Sequence, residues 1–240
     1  MKRIGIPVLL LLLAACSDND NNPAPVAPPE PAPAPPPPVS ASFEVTAINL
    51  TTGQPLSPIA VIAHDASFRA FSVGEAASVG LEVLAEGGDN ADFLDEIEGR
   101  GEASGSDPIG PGNRETITVE LDSDSTADTQ LTVMTMLVNT NDAFTGVNGM
   151  DVSAMAVGDR IVRDAIAYDA GTEANSEAAG SIPGPADGGE GFNAVRDDLA
   201  DQVTMHGGVV TQDDGLRDSV LTQIHRFDNP VARFVITRTQ

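Results

Sequence analysis

Cysteine and large aromatic residues are scarce in this chain of 240 residues, which has one cysteine (Cys16), no tryptophan and one tyrosine. A single cysteine excludes a disulfide within the chain, so stability must come from a hydrophobic core or from a bound ion. Aromatic residues make up only 4% of the sequence, so we expect a core built from aliphatic strands. The same scarcity argues against a carbohydrate site, because such sites stack sugars on aromatic rings.

Basic residues are also few, with 12 lysines and arginines against 36 aspartates and glutamates and a formal net charge of −24. Such a surface repels the phosphates of nucleic acid and attracts cations, so we expect no nucleic-acid partner. It also repels anionic lipid headgroups, so an association with a membrane requires a separate anchor and a spacer.

Motifs of the common hydrolases are missing. The sequence has no Gly-x-Ser-x-Gly, no His-Glu-x-x-His and no paired cysteines, and residues 99–112 contain five glycines but lack the lysine of a phosphate-binding loop. His64, His206 and His225 stand apart in the sequence, and His64 beside Asp65 is interpreted as a turn histidine rather than as part of a triad. We therefore predict no enzymatic activity and no small-molecule substrate, although 36 acidic residues leave a chance pair of catalytic carboxylates open.

The N-terminus has the pattern of a bacterial lipoprotein signal. Two basic residues precede an apolar run at residues 4–13, which is too short to span a bilayer, and the small pair Ala14-Ala15 comes directly before Cys16. We predict a signal peptide over residues 1–15, and diacylglycerol attached to the thiol of Cys16 rather than a free thiol. The protein would then be anchored to a membrane through lipid, with ten basic residues against 36 acidic ones and a net charge of −26.

A proline-rich segment follows the predicted lipidation site. Residues 23–38 read PAPVAPPEPAPAPPPP, which favours a polyproline II stalk of roughly 50 Å at about 3.1 Å per residue. A flexible low-complexity tail is the alternative. Ser17 after the lipidated cysteine favours the outer membrane of a Gram-negative bacterium. We assign residues 16–41 to this linker and residues 42–240 to one domain, which is long enough to have its own core.

Short alternating segments separated by turns dominate this domain. Helical spacing is confined to residues 75–86, which Gly87 and Gly88 end, and to a second short stretch at 91–97. Residues 99–112 and 170–191 are predicted loops, and residues 131–138 (LTVMTMLV) are apolar on both faces, as in a central strand. This pattern predicts an all-β fold, an antiparallel β-sandwich with one or two short helices. The predicted strands cover residues 43–50, 59–62, 117–121, 131–138, 161–167, 219–227 and 232–237.

Two aspartates stand where predicted strands give way to glycine-containing turns. Asp142 and Asp169 each follow a strand-like run, so both side chains are expected at one end of the sandwich. Carboxylates that converge in this way suit Ca²⁺, which takes six to eight oxygen ligands and tolerates irregular geometry. In the alternative interpretation, the two aspartates only initiate turns by accepting hydrogen bonds from nearby backbone amides.

A third acidic pattern lies at Asp122, Asp124 and Asp128. Their spacing is similar to the start of an EF-hand loop, but the glycine at the sixth position is missing and Val133 stands where the bidentate glutamate belongs. We interpret this segment as a hydrated acidic loop.

Several segments in a fixed order resemble a known family. They are NLT at residues 49–51 with QPLSP at 54–58, AEGGD at 85–89, NTNDAFTG at 139–146, YDAGTE at 168–173 and PVARFVI at 230–236. With these segments, residues 43–237 resemble a spondin domain. The resemblance implies a β-sandwich of C2-like character and a role in adhesion or recognition at a surface.

The resemblance also implies a calcium site with the ligands Asp142, Asp169 and Glu173. Ala143 follows Asp142 where animal members have an aromatic residue, and Glu173 stands where they usually have aspartate, so the carboxylate arm is one methylene longer. The implied function is a lipid-anchored calcium-binding module that recognises an unknown protein or matrix ligand. The alternatives are a metal-assisted hydrolase and a passive envelope component without metal.

Overall fold

The protein is described by a computed structural model over residues 40–97, 99–195 and 201–240. The predicted signal peptide, Cys16 and nearly all of the linker lie outside these residues. Two antiparallel sheets dominate, so the all-β prediction is confirmed. The strands are β1 (Ser42–Asn49), β2 (Ala60–His64), β3 (Gly101–Ser104), β4 (Arg114–Glu120), β5 (Gln130–Met136), β6 (Ala143–Asp151), β7 (Arg160–Ala165), β8 (Ala167–Asp169), β9 (Thr204–Met205) and β10 (Ala232–Arg238), with helices α1 (Val79–Gly87) and α2 (Ala91–Asp95) between β2 and β3.

One sheet has four strands in the order β4-β1-β10-β7, and the other has six in the order β3-β2-β5-β6-β8-β9. In β1 the residues Phe43, Val45 and Ala47 are fully buried and Glu44 is exposed, as the alternating sequence predicts. The same applies to β10, where Phe234 and Ile236 face the core. These side chains and those of the facing sheet form the core between the two layers.

A second core lies on the outer face of the six-stranded sheet. Helices α1 and α2 place Leu81, Leu84 and Phe93 against Met134 and Met136 of β5. This cover explains why β5 is buried on both faces and why its sequence lacks alternation. Helix α1 begins at Val79, later than predicted, because Ser78 accepts a hydrogen bond from the N–H of Leu81 and caps the helix.

The secondary structure differs from the prediction in three segments. The predicted loop at residues 99–112 contains β3, which pairs with β2. Strand β6 was missed because its sequence AFTGVNGMD holds glycine and asparagine, which disfavour strands in isolation. The predicted strand at residues 219–227 instead contains one turn of 3₁₀ helix, Gln223–His225, in which the N–H of Thr222 donates to Nδ1 of His225. The predicted loop at residues 170–191 is confirmed, since it contains no strand beyond a single bridge between Ala178 and Ser219.

Candidate functional site

The six-stranded sheet brings Asp142 and Asp169 to the same end of the molecule, as predicted. Asp142 directly precedes β6 and Asp169 ends β8. These strands are antiparallel neighbours with Ala143 opposite Asp169, and the N–H of Ala170 donates to the carbonyl of Asp142 at 3.2 Å. Glu173 follows in the next turn, and its N–H donates to the Asp142 carboxylate. We call the group of Asp142, Asp169, Glu173 and Glu86 the acidic cluster.

The loop before Asp142 is held by polar side chains. The side chain of Gln54 forms two hydrogen bonds with the backbone of Asn139, both 3.1 Å long. Thr140 Oγ1 donates to the carbonyl of Leu137 at 2.6 Å and accepts from the N–H of Ala143 at 3.0 Å. These buried contacts fix the backbone from residue 137 to residue 143, and so they fix the direction of the Asp142 side chain.

Asp142 is fully buried, and only one of its two carboxylate oxygens accepts hydrogen bonds from the described residues. Oδ2 accepts hydrogen bonds from the N–H groups of Thr172 at 2.9 Å and Glu173 at 3.1 Å. Oδ1 has no hydrogen-bond partner among the residues that the structure describes. A buried carboxylate oxygen without a donor is costly, so this atom is a candidate ligand for a cation.

The surroundings of Asp142 disfavour its negative charge. Burial is the largest cause and the charge of Asp169 the second, and together with Glu86 they raise the pKa of Asp142 from 3.8 to about 7. The hydrogen bonds from Glu173 and Thr172 act in the opposite direction but do not compensate. A divalent cation would reverse this balance, because it stabilises the ionised carboxylate.

Asp169 and Asp142 differ in the bonds that they form. Oδ1 of Asp169 accepts from the N–H of Gly171, two residues later, at 2.9 Å, and Oδ2 accepts from the side-chain amide of Asn175. The bond from Gly171 closes a local turn, as the alternative interpretation predicts for Asp169. Asp142 instead accepts from residues thirty positions along the chain, so its bonds close no local turn.

Glu173 is buried beside Asn141. Oε1 of Glu173 accepts a hydrogen bond from the side-chain amide of Asn141 at 3.0 Å. The same asparagine accepts from the N–H of Glu177 at 3.1 Å. Asn141 therefore links the Asp142 segment to the loop that carries Glu173.

One member of the cluster, Glu86, and one residue near it, His206, were not predicted from the sequence. Glu86 lies in the last turn of α1, is 1% exposed, and accepts from the N–H of Asn193 at 3.3 Å. His206 is also buried, with Nδ1 accepting from the N–H of Gly208 at 2.9 Å. Burial lowers the pKa of His206 more than the nearby Asp169 raises it.

The other candidates lie elsewhere. Asp122, Asp124 and Asp128 are exposed, as expected of a hydrated loop. His64 ends β2 rather than sitting in a turn, and its ring bonds Thr132 Oγ1 at 2.8 Å and the Asp65 carbonyl at 2.7 Å.

The acidic cluster fits calcium in part. Its donors are hard oxygens and Oδ1 of Asp142 is available, but the described residues hold no group of three or more His, Cys, Asp or Glu side chains arranged as a metal site. Calcium commonly completes its coordination with backbone carbonyls and water. The residues that would hold it are Asp142, Asp169 and Glu173, and the ion would supply positive charge beside the carboxylate of Asp142.

Neither helix in the described part of the chain is long and apolar enough to cross a bilayer.

Comparison with known proteins identifies the family of this chain. No curated protein sequence matches the chain. The family model Spondin_N matches residues 50–181, which is more than half of the chain and includes Asp142, Asp169 and Glu173. The chain therefore belongs to the Spondin_N family.

Proposed function

We propose that this protein is a calcium-binding β-sandwich module, held at the outer membrane by lipid on Cys16, that recognises a protein or matrix ligand and catalyses no reaction. The observation that carries the calcium proposal is Oδ1 of Asp142, a fully buried carboxylate oxygen without a hydrogen-bond partner among the described residues. No arginine or histidine within these residues forms an ion pair with Asp142 or Asp169. A bound cation would compensate this charge.

The calcium proposal is tested by thermal unfolding in chelator and in calcium. An extracellular module of this kind binds with a dissociation constant of order 0.1–1 mM. Roughly 10 mM calcium would then stabilise the fold by about 1.4–2.7 kcal/mol. For a domain of this size the expected rise in the thermal midpoint is about 3–10 °C.

Two variants make this test specific. Asp142→Ala should abolish the calcium response, and Asp124→Ala is the matched control because it removes an exposed aspartate of the 122–128 loop. No calcium response in the unaltered protein would contradict the calcium proposal and favour a passive envelope component. An equal loss in both variants would show that calcium acts through the general charge of the protein.

The anchor is tested separately. Radiolabelled palmitate should be incorporated into the unaltered chain and not into Cys16→Ser, which should also leave the membrane fraction. Label on the Cys16→Ser chain, or an unlabelled wild-type chain that stays in the membrane fraction, would contradict lipidation at this residue.

A metal-assisted hydrolase remains the second candidate, because the structure places His206 near Asp169 and leaves Thr172 Oγ1 without a partner among the described residues. Such an enzyme would hydrolyse p-nitrophenyl esters or phosphodiesters in calcium and lose the activity in His206→Gln. Absence of turnover in calcium, manganese and zinc would support the non-enzymatic proposal.

A further inference from the structure

The two open sides of the sandwich differ. On one side, β3 and β4 approach closely: the N–H of Asp122 donates to the carbonyl of Arg100 at 2.8 Å, and a side chain at Gly101 would collide with the backbone of Glu120. On the other side, β6 and β7 belong to different sheets. A cleft of about 630 Å³ lies between them.

One wall of this cleft is an unpaired strand edge. Strand β6 has nine residues, but β8 pairs only with residues 143–145. On one side, residues 146, 147, 150 and 151 pair with β5, and a β-bulge at residues 148–149 interrupts this ladder. The N–H of Gly149 within the bulge donates to Thr132 Oγ1 at 2.9 Å. On the other side, residues 146–151 pair with no strand among the described residues. The N–H and C=O groups before and after the bulge that face away from β5 are therefore directed into the cleft, over roughly 20 Å at about 3.4 Å per residue. Such an edge is a template for a further strand.

The opposite wall carries a positive charge in an acidic protein. Along β7, Arg163 shares one face of the strand with Ile161 and Ala165, which pack against the core, so its side chain is directed to the open side between the sheets. It is exposed, and it forms no ion pair with any described residue. Arg69 is exposed as well, but it lies on the β6 side, where its Nη1 is 3.3 Å from the position of a Cβ on Gly149.

The acidic residues of the cleft leave this charge largely uncompensated. Asp164 is neutralised by Arg233, with Nε to Oδ1 at 2.6 Å and Nη2 to Oδ2 at 2.9 Å. Asp151 lies at the far end of β6, where it accepts hydrogen bonds from Ser153. The middle of the cleft therefore favours negative groups on a ligand, although the chain as a whole carries a net charge of −24.

We propose that the cleft between β6 and β7 binds an extended acidic peptide segment of a partner protein. The segment adds as a strand to the edge of β6 at residues 146–151, and its carboxylates pair with Arg163 and Arg69. Phe71 and Tyr168, whose rings are 4.7 Å apart, line the cleft and contact the apolar side chains of the segment. Backbone pairing supplies affinity, and the arginines select acidic sequences. This site does not include the acidic cluster.

The experiment is fluorescence anisotropy with the full chain in detergent micelles. The probe is a labelled peptide, Asp-Val-Thr-Val-Glu-Val-Thr-Val-Asp. Two control peptides carry lysine at the three acidic positions or N-methyl groups on alternate amides. Each control should bind at least tenfold more weakly, since the first loses the ion pairs and the second loses the backbone donors.

The protein variants locate the site. Arg163→Glu and Arg69→Glu should each weaken binding of the acidic peptide at least tenfold. The matched control Arg114→Glu changes an exposed arginine on the edge strand β4 and should change the affinity less than twofold. Circular dichroism would confirm that the variants fold.

Binding in chelator should lie within twofold of binding in calcium, so failure of the calcium proposal would leave this result intact. Loss of binding in chelator would place the peptide on a metal ion and overturn the proposal. Equal binding of the acidic and lysine peptides, or an equal effect of Arg114→Glu and Arg163→Glu, would also overturn it. A dimer in light scattering that is lost in Arg163→Glu would show that a second copy occupies the edge instead.

Discussion

The acidic loop at residues 122–128 and the acidic cluster around Asp142 contain the same residue types in opposite surroundings. In the loop, Asp122, Asp124 and Asp128 have spacing similar to a calcium-binding motif, yet all three are exposed. In the cluster, the residues come from separate segments of the chain, yet Asp142 is fully buried and its pKa is raised to about 7. The comparison shows that regular spacing of carboxylates is weak evidence for a cation site. Burial of charge without a positive partner is stronger evidence.

The largest expected effect that separates the two regions is the pH dependence of stability in chelator. The pKa of Asp142 is raised in the fold from 3.8 to about 7, so the fold favours the protonated form. Its contribution to stability is fully present below pH 3.8 and is lost as the pH rises through about 7. At about 1.4 kcal/mol per pKa unit, the whole loss is on the order of 4 kcal/mol, with about 2 kcal/mol of it between pH 5.5 and pH 8.

Urea unfolding at pH 5.5 and pH 8 in chelator measures this loss. Asp142→Asn cannot ionise, so it should remove that part of the pH dependence and be more stable than the wild type at pH 8. Asp124→Asn should keep the wild-type dependence. The comparison fails if Asp142→Asn and the wild type lose the same stability between the two pH values.

Asp169→Asn should have the next largest effect. Removing the second-largest cause of the raised Asp142 pKa lowers that pKa, and the asparagine Oδ1 can still accept from the N–H of Gly171. At pH 8 in chelator we expect stability to rise by on the order of 1 kcal/mol, the scale of a charge interaction at a partly buried site. In calcium the stabilisation should shrink because one ligand charge is lost. A lower stability in chelator at pH 8 would mean that Asp169 acts mainly through its turn.

Glu86→Gln should act in the same direction with a smaller effect. Glu86 is the weakest of the three causes that raise the pKa of Asp142, and glutamine retains an acceptor for the N–H of Asn193. We expect a gain of a few tenths of a kcal/mol at pH 8 in chelator. Nuclear magnetic resonance titration of the Asp142 carboxyl carbon gives a direct measurement. An unchanged titration midpoint would remove Glu86 from the cluster.

Asp124→Asn is expected to have the smallest effect. The side chain is exposed in the 122–128 loop, and such substitutions usually change stability by less than about 0.5 kcal/mol. Calcium should stabilise this variant and the wild type equally in thermal unfolding. A calcium response reduced by half or more would move the cation site from the cluster to the loop.

Much of the fold was predictable because alternation and apolar runs record which face of a strand is buried. The alternating residues of β1 and β10 gave their positions to within one or two residues. The run in β5 indicated a central strand, although only the structure shows that α1 and α2 cover its second face. Strands β3 and β6 were not predicted, because their residues are strand-like only when neighbours supply the pairing.

The site was predictable only in outline. Asp142 and Asp169 were expected at one end of the sandwich because both follow strands, and the pairing of β6 with β8 confirms this. Glu173 came only from the resemblance to a family. Glu86 and His206 were not predicted, since 120 positions separate them in the chain and nothing in the local sequence links either one to Asp142.

The sequence by itself determined the acidic charge, the absence of an internal disulfide, the aliphatic core and the alternating strands, because each depends on composition or on neighbouring residues. The tertiary structure alone decided which carboxylates are buried and, within the described ranges, which carboxylate oxygen lacks a donor and which strand edge is unpaired. These properties depend on contacts between residues far apart in the chain, and the free energy of a charged group is set by the atoms around it rather than by its place in the sequence.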